Sequence, residues 1–302
     1  MPARQDTSKL LDSILHLRTS PLLSKLTSTS LAPLAYHAQE VRFAAGDVVA
    51  HQSEISNQFW HILSGTVRAS TGETRGVREA LEGFALLAGI GMPFEAVADT
   101  EVRALVIPGD AMFEALEDDS NLLHQLTHGL AARLLMEREN LKGDQSLLAM
   151  PIGGSKDEHG NFDLVQRMLL IQRAQDLRRT AATALADAAR NTIPFRAPKG
   201  EFLWRRGENA LHGYMIVSGT VSALYADRSP IRLGPGIALG VLDFLAGVPR
   251  RNDLVSNEDV FGLKSQLSRF FEALEDHFEM ATAVLSTLAR ETLKVLCPSC
   301  RA

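Results

Sequence analysis

The sequence predicts an α+β protein in which an all-β segment bracketed by helices occurs twice. Residues 46–67 and 200–221 share glycines and a glutamate at a constant offset of 154 residues, and both stretches end in Ser-Gly-Thr-Val. Glycines divide 41–108 into short segments rich in β-branched and aromatic residues, and helical spacing of apolar residues returns after residue 109. A period this long indicates duplicated domains and not a solenoid.

The composition is that of an ordinary globular protein, and it narrows the class of partner. The 302 residues suffice for two hydrophobic cores, and the net charge of −5 argues against wrapping nucleic acid or an anionic membrane surface. Residues 1–6 lack the apolar core of a signal peptide, and no apolar run is long enough to span a bilayer. We therefore predict a cytoplasmic protein without a membrane span.

Helices open the chain and strands follow them. Apolar spacing predicts one helix over 10–17, a second opened by Pro21 and a third around 31–35. Strands are predicted at 41–43, 47–50, 59–63, 66–70, 77–80 and 102–107. Helices return at 111–116 and at 121–142, where leucines recur with i, i+3 and i+4 spacing. The predicted unit is thus an all-β middle between helices.

The same order of elements recurs in the second half. Glycine, proline and polar residues predict a linker at 143–161. A helix over 162–191, strands from 193 to about 263 and a terminal helix over 278–296 follow it. The predicted domains and linker are 1–142, 143–161 and 162–302.

The spacing between the two copies changes once. Residues 113–118 read Phe-Glu-Ala-Leu-Glu-Asp and recur at 271–276, an offset of 158 residues. The second copy has therefore gained four residues between the repeated strands and the repeated helix.

Each copy resembles the cyclic nucleotide-binding domain in the order of its motifs. These are apolar-x-x-Gly-acidic-x-apolar, a Gly/Glu corner, and aromatic-x-Ile/Val-x-Ser-Gly-x-Val before a hinge helix. The resemblance covers about 30–142 and 184–296. The family includes the catabolite activator regulators of bacteria, the regulatory subunit of cAMP-dependent protein kinase and cyclic nucleotide-gated channels. It implies two β-rolls, which are jelly-roll-like double-stranded β-helices, each flanked by helices. The tandem plan looks most like the kinase regulatory subunit.

In that family the ligand lies on a phosphate-binding cassette resembling Gly-Glu-Leu-Ala followed by Pro-Arg-Ala-Ala. The carboxylate accepts a hydrogen bond from the ribose 2′-hydroxyl, and the guanidinium pairs with the cyclic phosphate. In the first copy Phe84 stands at the carboxylate position and Phe94 at the arginine position, with Glu95 beside it. We therefore expect no standard cyclic nucleotide site in the first copy.

The second copy keeps part of the cassette. Arg250 aligns with the cassette arginine, whereas Val241 replaces the carboxylate. The resemblance implies an altered site for a cyclic mono- or dinucleotide, with four candidate ligand-binding residues: Gly240, Arg250, Arg251 and Asn252. The alternative is that Arg250 and Arg251 form a solvated basic turn or an interface contact.

Three functions remain open at this point, and none is enzymatic. No G-x-S-x-G, Walker A or Rossmann motif provides a catalytic residue or a cofactor site. The main hypothesis is a signalling regulator or adaptor that acts through protein–protein contacts on degenerate cyclic nucleotide-binding-like domains. One alternative is a cyclic nucleotide sensor that binds near Arg250, and the other is a purely structural scaffold.

The same resemblance limits the partners. The chain shows no winged helix after the second terminal helix and no Arg-Arg-x-Ser/Ala pseudosubstrate, so we expect neither DNA binding nor kinase inhibition. A protein partner is expected, and the terminal helices offer a homodimer seam through Leu126, Leu130 and Leu134.

Cys297 and Cys300 form a C-x-x-C pair at the end of the sequence. A structural zinc ion needs four ligands, which two copies of the chain could supply together. A metal-free tail is the interpretation we adopt, so no metal site is predicted. Two cysteines also fit a reducing compartment.

Overall fold

A computed structural model describes residues 7–20, 22–24, 26–55, 57–70, 72, 74–75, 80–81, 83–140, 150–151, 162–172, 177 and 180–296. The chain divides into two compact units, Met1–Leu130 with Leu285–Ala302, and Ala131–Val284. Both boundaries fall inside long helices, so residues 131–140 belong to the second unit and residues 285–296 to the first. The predicted linker at 143–161 lies outside the described residues, apart from Met150–Pro151.

The helices of the described residues are α1 (Thr7–Leu17), α2 (Ser28–His37), α3 (Gly83–Ala88), α4 (Gly109–Asp118), α5 (Ser120–Asn140), α6 (Leu164–Gln172), α7 (Ala182–Arg190), α8 (Val241–Leu245), α9 (Leu267–Asp276) and α10 (Phe278–Leu296). No helix among these residues is both long enough and apolar enough to cross a membrane.

The strands of the first unit are β1 (Gln39–Phe43), β2 (Val48–Ala50), β3 (Gln58–Ser64), β4 (Val67–Ala69), β5 (Thr74–Arg75), β6 (Ala80–Leu81), β7 (Ala96–Ala98) and β8 (Val102–Pro108). They form two antiparallel four-stranded sheets, in the orders β1-β8-β3-β6 and β2-β7-β4-β5.

The strands of the second unit are β9 (Met150–Pro151), β10 (Thr192–Ala197), β11 (Phe202–Trp204), β12 (His212–Ser218), β13 (Val221–Leu224), β14 (Ile231–Leu233), β15 (Ile237–Leu239), β16 (Asp253–Ser256) and β17 (Val260–Gln266). The sheet orders β10-β17-β12-β15 and β11-β16-β13-β14 repeat those of the first unit, and β9 extends the first of them at its edge. The predicted α+β class with two β-rolls flanked by helices is confirmed.

The repeated Ser-Gly-Thr-Val motif has a steric cause. Gly65 and Gly219 both have positive φ angles, +86° and +80°. A Cβ atom on Gly65 would lie 2.2 Å from the backbone oxygen of Glu101, and one on Gly219 would lie 2.4 Å from that of Asp259. Only glycine fits this turn in either β-roll, so the motif marks the same corner twice.

Two predicted helices are wrong. The helix expected after Pro21 is a turn at 22–24. The helix expected over 162–191 is two helices, α6 and α7, which pack against each other. As two helices, α6 buries Leu170 and α7 buries Leu185.

The leucine stripe of α5 is buried within the chain. Leu126, Leu130 and Leu134 are each at most 1% exposed. The homodimer seam predicted from these leucines is therefore already covered by intramolecular packing.

The four additional residues of the second copy lie in one hairpin turn. In the first unit Arg68 on β4 pairs with Thr74 on β5. In the second unit Ser222 on β13 pairs with Arg232 on β14. Ser222 lies 154 positions after Arg68, whereas Arg232 lies 158 positions after Thr74. The four additional residues therefore fall within the turn at 225–230.

Candidate functional site

The cassette of the second unit consists of α8 and the segment that leads into β16. Two backbone hydrogen bonds fix Arg250 in this segment. Its N–H group donates to the oxygen of Glu208 at 2.8 Å, and its oxygen accepts from the N–H group of Gly207 at 2.8 Å. Arg250 is thereby tied to the turn between β11 and β12.

Met92 occupies this place in the first unit. Its N–H group donates to the oxygen of Glu54 at 2.9 Å, and its oxygen accepts from the N–H group of Ser53 at 2.8 Å. The predicted equivalence of Phe94 with Arg250 is therefore wrong by two residues. Aligning the two prolines caused the error, because the backbone pairing and not the proline sets the register.

The cassette helices have the same register of 158 residues. Ile90 donates to the oxygen of Ala85 at 3.2 Å, and Val248 donates to the oxygen of Asp243 at 3.0 Å. Ala85 and Asp243 are thus equivalent. At this offset the equivalent of Val241 is Gly83, and not Phe84 as expected. Neither Gly83 nor Val241 carries a carboxylate.

The side chain of Arg250 is buried, and its two terminal nitrogens contact other groups of the protein, whereas its Nε is buried without a hydrogen-bond partner. The side chain is 2% exposed, and its Nη1 donates to the backbone oxygen of Gly240 at 2.7 Å and lies 3.5 Å from Asp243 Oδ2. Its Nη2 donates to the backbone oxygen of His212. The guanidinium carbon lies 4.2 Å from the ring centre of Trp204, a cation–π contact. Burial lowers the pKa of Arg250, although the carboxylate of Asp243 opposes this shift.

Arg251 joins the cassette to the end of α5. Its Nε donates to Asp243 Oδ1 at 3.0 Å, and its Nη1 donates to Glu139 Oε1 at 2.7 Å. Burial acts to lower the pKa of Arg251, but the bonds to Glu139 and Asp243 outweigh it and raise that pKa. Arg251 is therefore a bridge and not a solvated turn.

Gly240 and Asn252 complete the set predicted from the sequence. Gly240 has a φ angle of +85°, and a Cβ atom there would lie 2.6 Å from Arg250 Nη1, so glycine is required for the guanidinium to reach its acceptors. Asn252 is buried, and its backbone oxygen accepts a hydrogen bond from Trp204 Nε1 at 3.0 Å. All four predicted residues thus belong to one network.

The space between α8 and the β-roll is small. The cavity beside Gly240, Leu242 and Leu239 has a volume of about 70 Å³. Ligand pockets usually measure roughly 300–1,000 Å³. A nucleotide does not fit this cavity in the conformation described.

Trp204 and Asp243 are the participants that sequence reasoning missed. Both contact Arg250, and their first-unit equivalents are Ala50 and Ala85. Aligning the two copies at the offsets of 154 and 158 could have identified both residues. In that alignment, small residues of the first copy correspond to a large aromatic residue and a carboxylate in the second copy.

One comparison with known protein families matches the first β-roll. Residues 40–119 match the sequence model described as cyclic nucleotide-binding domain. This match confirms the resemblance for the first unit, and the second unit repeats its strand order. No curated protein matches the chain.

Several solved structures are similar to the chain. The regulatory domain of Toxoplasma gondii PKA with cAMP is 14% identical, covering 95% of this chain and 99% of that chain, with a TM-score of 0.36. The regulatory subunit of a cAMP-independent protein kinase A from Trypanosoma brucei is 17% identical, covering 96% and 91%, with a TM-score of 0.36. The N-terminal domain of a transcriptional regulator from Streptomyces coelicolor A3(2) is 22% identical, covering 43% and 97%, with a TM-score of 0.37.

The described residues contain no group of three or more histidine, cysteine, aspartate or glutamate side chains arranged for a metal ion. Cys297 and Cys300 lie outside the described residues.

Proposed function

We propose that this protein is a non-enzymatic, cytoplasmic regulator or adaptor that acts through protein–protein contacts, and that neither β-roll binds a cyclic nucleotide. The family match at 40–119 supports a regulatory class of protein. The absence of a catalytic motif in the sequence supports the non-enzymatic part of the proposal.

One observation carries the proposal. The guanidinium of Arg250, which would have to meet a cyclic phosphate, instead meets the oxygens of Gly240 and His212, the carboxylate of Asp243 and the ring of Trp204. A phosphate would have to draw the guanidinium away from these buried acceptors, and a buried acceptor left unpaired costs about 1–3 kcal/mol. The arginine therefore acts as part of the core.

Isothermal titration calorimetry of the full chain with cAMP, cGMP and cyclic di-GMP tests this proposal. We expect no binding of any of the three at near-millimolar concentration. The alternative, a ligand sensor in the second unit, predicts binding that disappears when Arg250 is replaced. Such binding would overturn the proposal.

A second experiment tests the contact with partners. Complexes recovered from cells with the tagged full chain should have the same composition with and without added cAMP. The double variant Arg250→Met with Asp243→Ala should recover the same complexes, because it places the apolar pair of the first unit, Met92 and Ala85, at the equivalent positions. A complex that depends on cAMP or on Arg250 would favour the sensor.

A further inference from the structure

The second unit contains a larger cavity that borders the cassette. Its volume is about 590 Å³, within the range of small-molecule sites. The turn at 225–230, the turn at 206–207, the segment 248–251 and the end of α5 form its walls. The turn at 225–230 contains the four-residue extension that the first unit lacks, so this wall of the cavity is specific to the second copy.

Arginines dominate the walls of this cavity. Five of them line it, against two carboxylates, Glu139 and Asp227: Arg138, Arg206, Arg228, Arg250 and Arg251. A concave, low-dielectric wall with excess positive charge concentrates anions. The net charge of the whole chain is −5, so this local excess runs against the overall charge.

Two of the arginines are oriented before any ligand binds. Arg251 is anchored by Asp243 at 3.0 Å, and the side chain of Asp243 is only 8% exposed. Arg228 stacks over Tyr225, with its guanidinium carbon 5.0 Å from the ring centre. Guanidinium groups held in place in this way suit the bidentate recognition of phosphate oxygens.

The carboxylates at the cavity are the replaceable ones. Glu139 is 56% exposed where it meets Arg251, and Asp227 is 71% exposed where it meets Arg228. Exposed ion pairs of this kind contribute little to stability, so an incoming anion can take over their arginines. Asp243 would stay in place and keep Arg251 aimed at the ligand.

We infer that this cavity binds a small ligand that carries an open chain of two or more linked phosphate groups, as in pyrophosphate, in place of the carboxylates of Glu139 and Asp227. The site shares the segment 248–251 with the cassette, but its other walls, the turns at 206–207 and 225–230 and the end of α5, lie outside the cassette. Because Glu139 lies at the end of α5, occupancy of the cavity would release the bridge between α5 and Arg251.

Calorimetry of the full chain with inorganic pyrophosphate tests the inference. ATP is a second ligand, and orthophosphate and cAMP are controls for which we expect no measurable binding. Arg206→Gln and Arg228→Gln should each weaken pyrophosphate binding at least tenfold. Arg269→Gln is the matched control, because Arg269 forms an exposed pair with Glu272 in the same unit and lies outside the cavity wall. Binding by Arg269→Gln should equal that of the wild type.

Glu139→Gln should tighten pyrophosphate binding several-fold, since it removes the competing carboxylate without removing an arginine. Tighter binding of ATP than of pyrophosphate would assign the site to a nucleoside polyphosphate, and equal binding would assign it to the phosphate groups alone. No pyrophosphate or ATP binding by the wild type, or equal loss in Arg269→Gln, would overturn the inference. The cAMP control separates this outcome from failure of the proposed function.

Discussion

The two β-rolls share one backbone and fill the cassette position with opposite chemistry. In the first unit the equivalent positions hold Ala85 and Met92, which are 1% and 3% exposed. In the second unit they hold Asp243 and Arg250, which are 6% and 3% exposed. Both units bury the place where the family binds its ligand, one with apolar groups and one with a charged network.

The difference teaches that a cassette arginine can be buried by its own unit instead of facing solvent. An apolar pair tolerates the replacement of one member by a similar volume, whereas a buried ion pair fails when either member is removed alone. The second cassette should therefore be the more fragile of the two, and its fragility should be structural.

Arg250→Met should have the largest effect. It leaves Asp243 buried without its partner and removes the donor to Gly240, so we expect the second unit to lose about 3–5 kcal/mol of unfolding free energy. Urea unfolding followed by the fluorescence of Trp204, in a Trp60→Phe background, measures this loss. The matched first-unit variant Met92→Leu conserves volume and should lose less than about 1.5 kcal/mol. A loss below about 1 kcal/mol for Arg250→Met would mean that the network is not structural.

Gly240→Ala should have the next largest effect. The left-handed conformation disfavours alanine, and the new Cβ would lie 2.6 Å from Arg250 Nη1, so the loss should be on the order of 2–4 kcal/mol. Gly200→Ala is the control, because Gly200 has a φ angle of +84° with open space around it. That control should lose only about 1–2 kcal/mol. Equal losses would show that Arg250 does not occupy this position.

His61 should make the first unit sensitive to acid. Burial lowers the pKa of His61 to about 4, with a smaller contribution from His16, and its ring contacts Thr19 Oγ1 at 3.1 Å. The unfolded chain takes up a proton as the pH falls below about 6.5, while folded His61 remains neutral until about 4. The contribution of His61 to the free energy of unfolding is therefore complete above pH 6.5. It is lost as the pH falls towards 4, and the loss amounts to at most about 3 kcal/mol.

The equivalent residue in the second unit is Met215, which does not titrate. His61→Met should therefore remove this part of the pH dependence, as measured by urea unfolding at neutral and acidic pH. An unchanged difference between the two pH values would assign the acid sensitivity to other groups.

Glu139→Gln should have the smallest effect. The bridge from Glu139 to Arg251 is 2.7 Å long, but the carboxylate is 56% exposed, so the loss should be below about 1 kcal/mol. Glu272→Gln removes a comparable exposed pair with Arg269 and provides the reference value. A loss of several kcal/mol for Glu139→Gln alone would make the end of α5 an essential part of the second cassette.

The sequence predicted the repeated strands well because their signal is local. A turn glycine at 65 or 219 and the β-branched residues around it specify the corner without help from distant residues. The strand β7 was missed because Ala96–Ala98 is short and carries no strong β-former except Val97. Its pairing with β2 and β4 supplies what propensity does not.

The environment of Arg250 could not be predicted because its acceptors are distant in sequence. The oxygens of Gly240 and His212 lie 10 and 38 residues away, and Trp204 approaches from another strand. The motif singled out Arg250, but it could not predict the direction of its side chain. The reversal from a ligand contact to a core contact is set by tertiary packing.

A double-mutant cycle at Asp243 and Arg250 tests the central claim most directly. The cycle compares the unfolding free energies of Arg250→Met, Asp243→Ala and the double variant. We expect the double variant to be more stable than the sum of the two single losses predicts, by about 2 kcal/mol or more. The double variant restores the Met92 and Ala85 pair of the first unit, so its two changes compensate each other. Additivity within about 0.5 kcal/mol, together with cAMP binding that only Arg250 supports, would contradict the account.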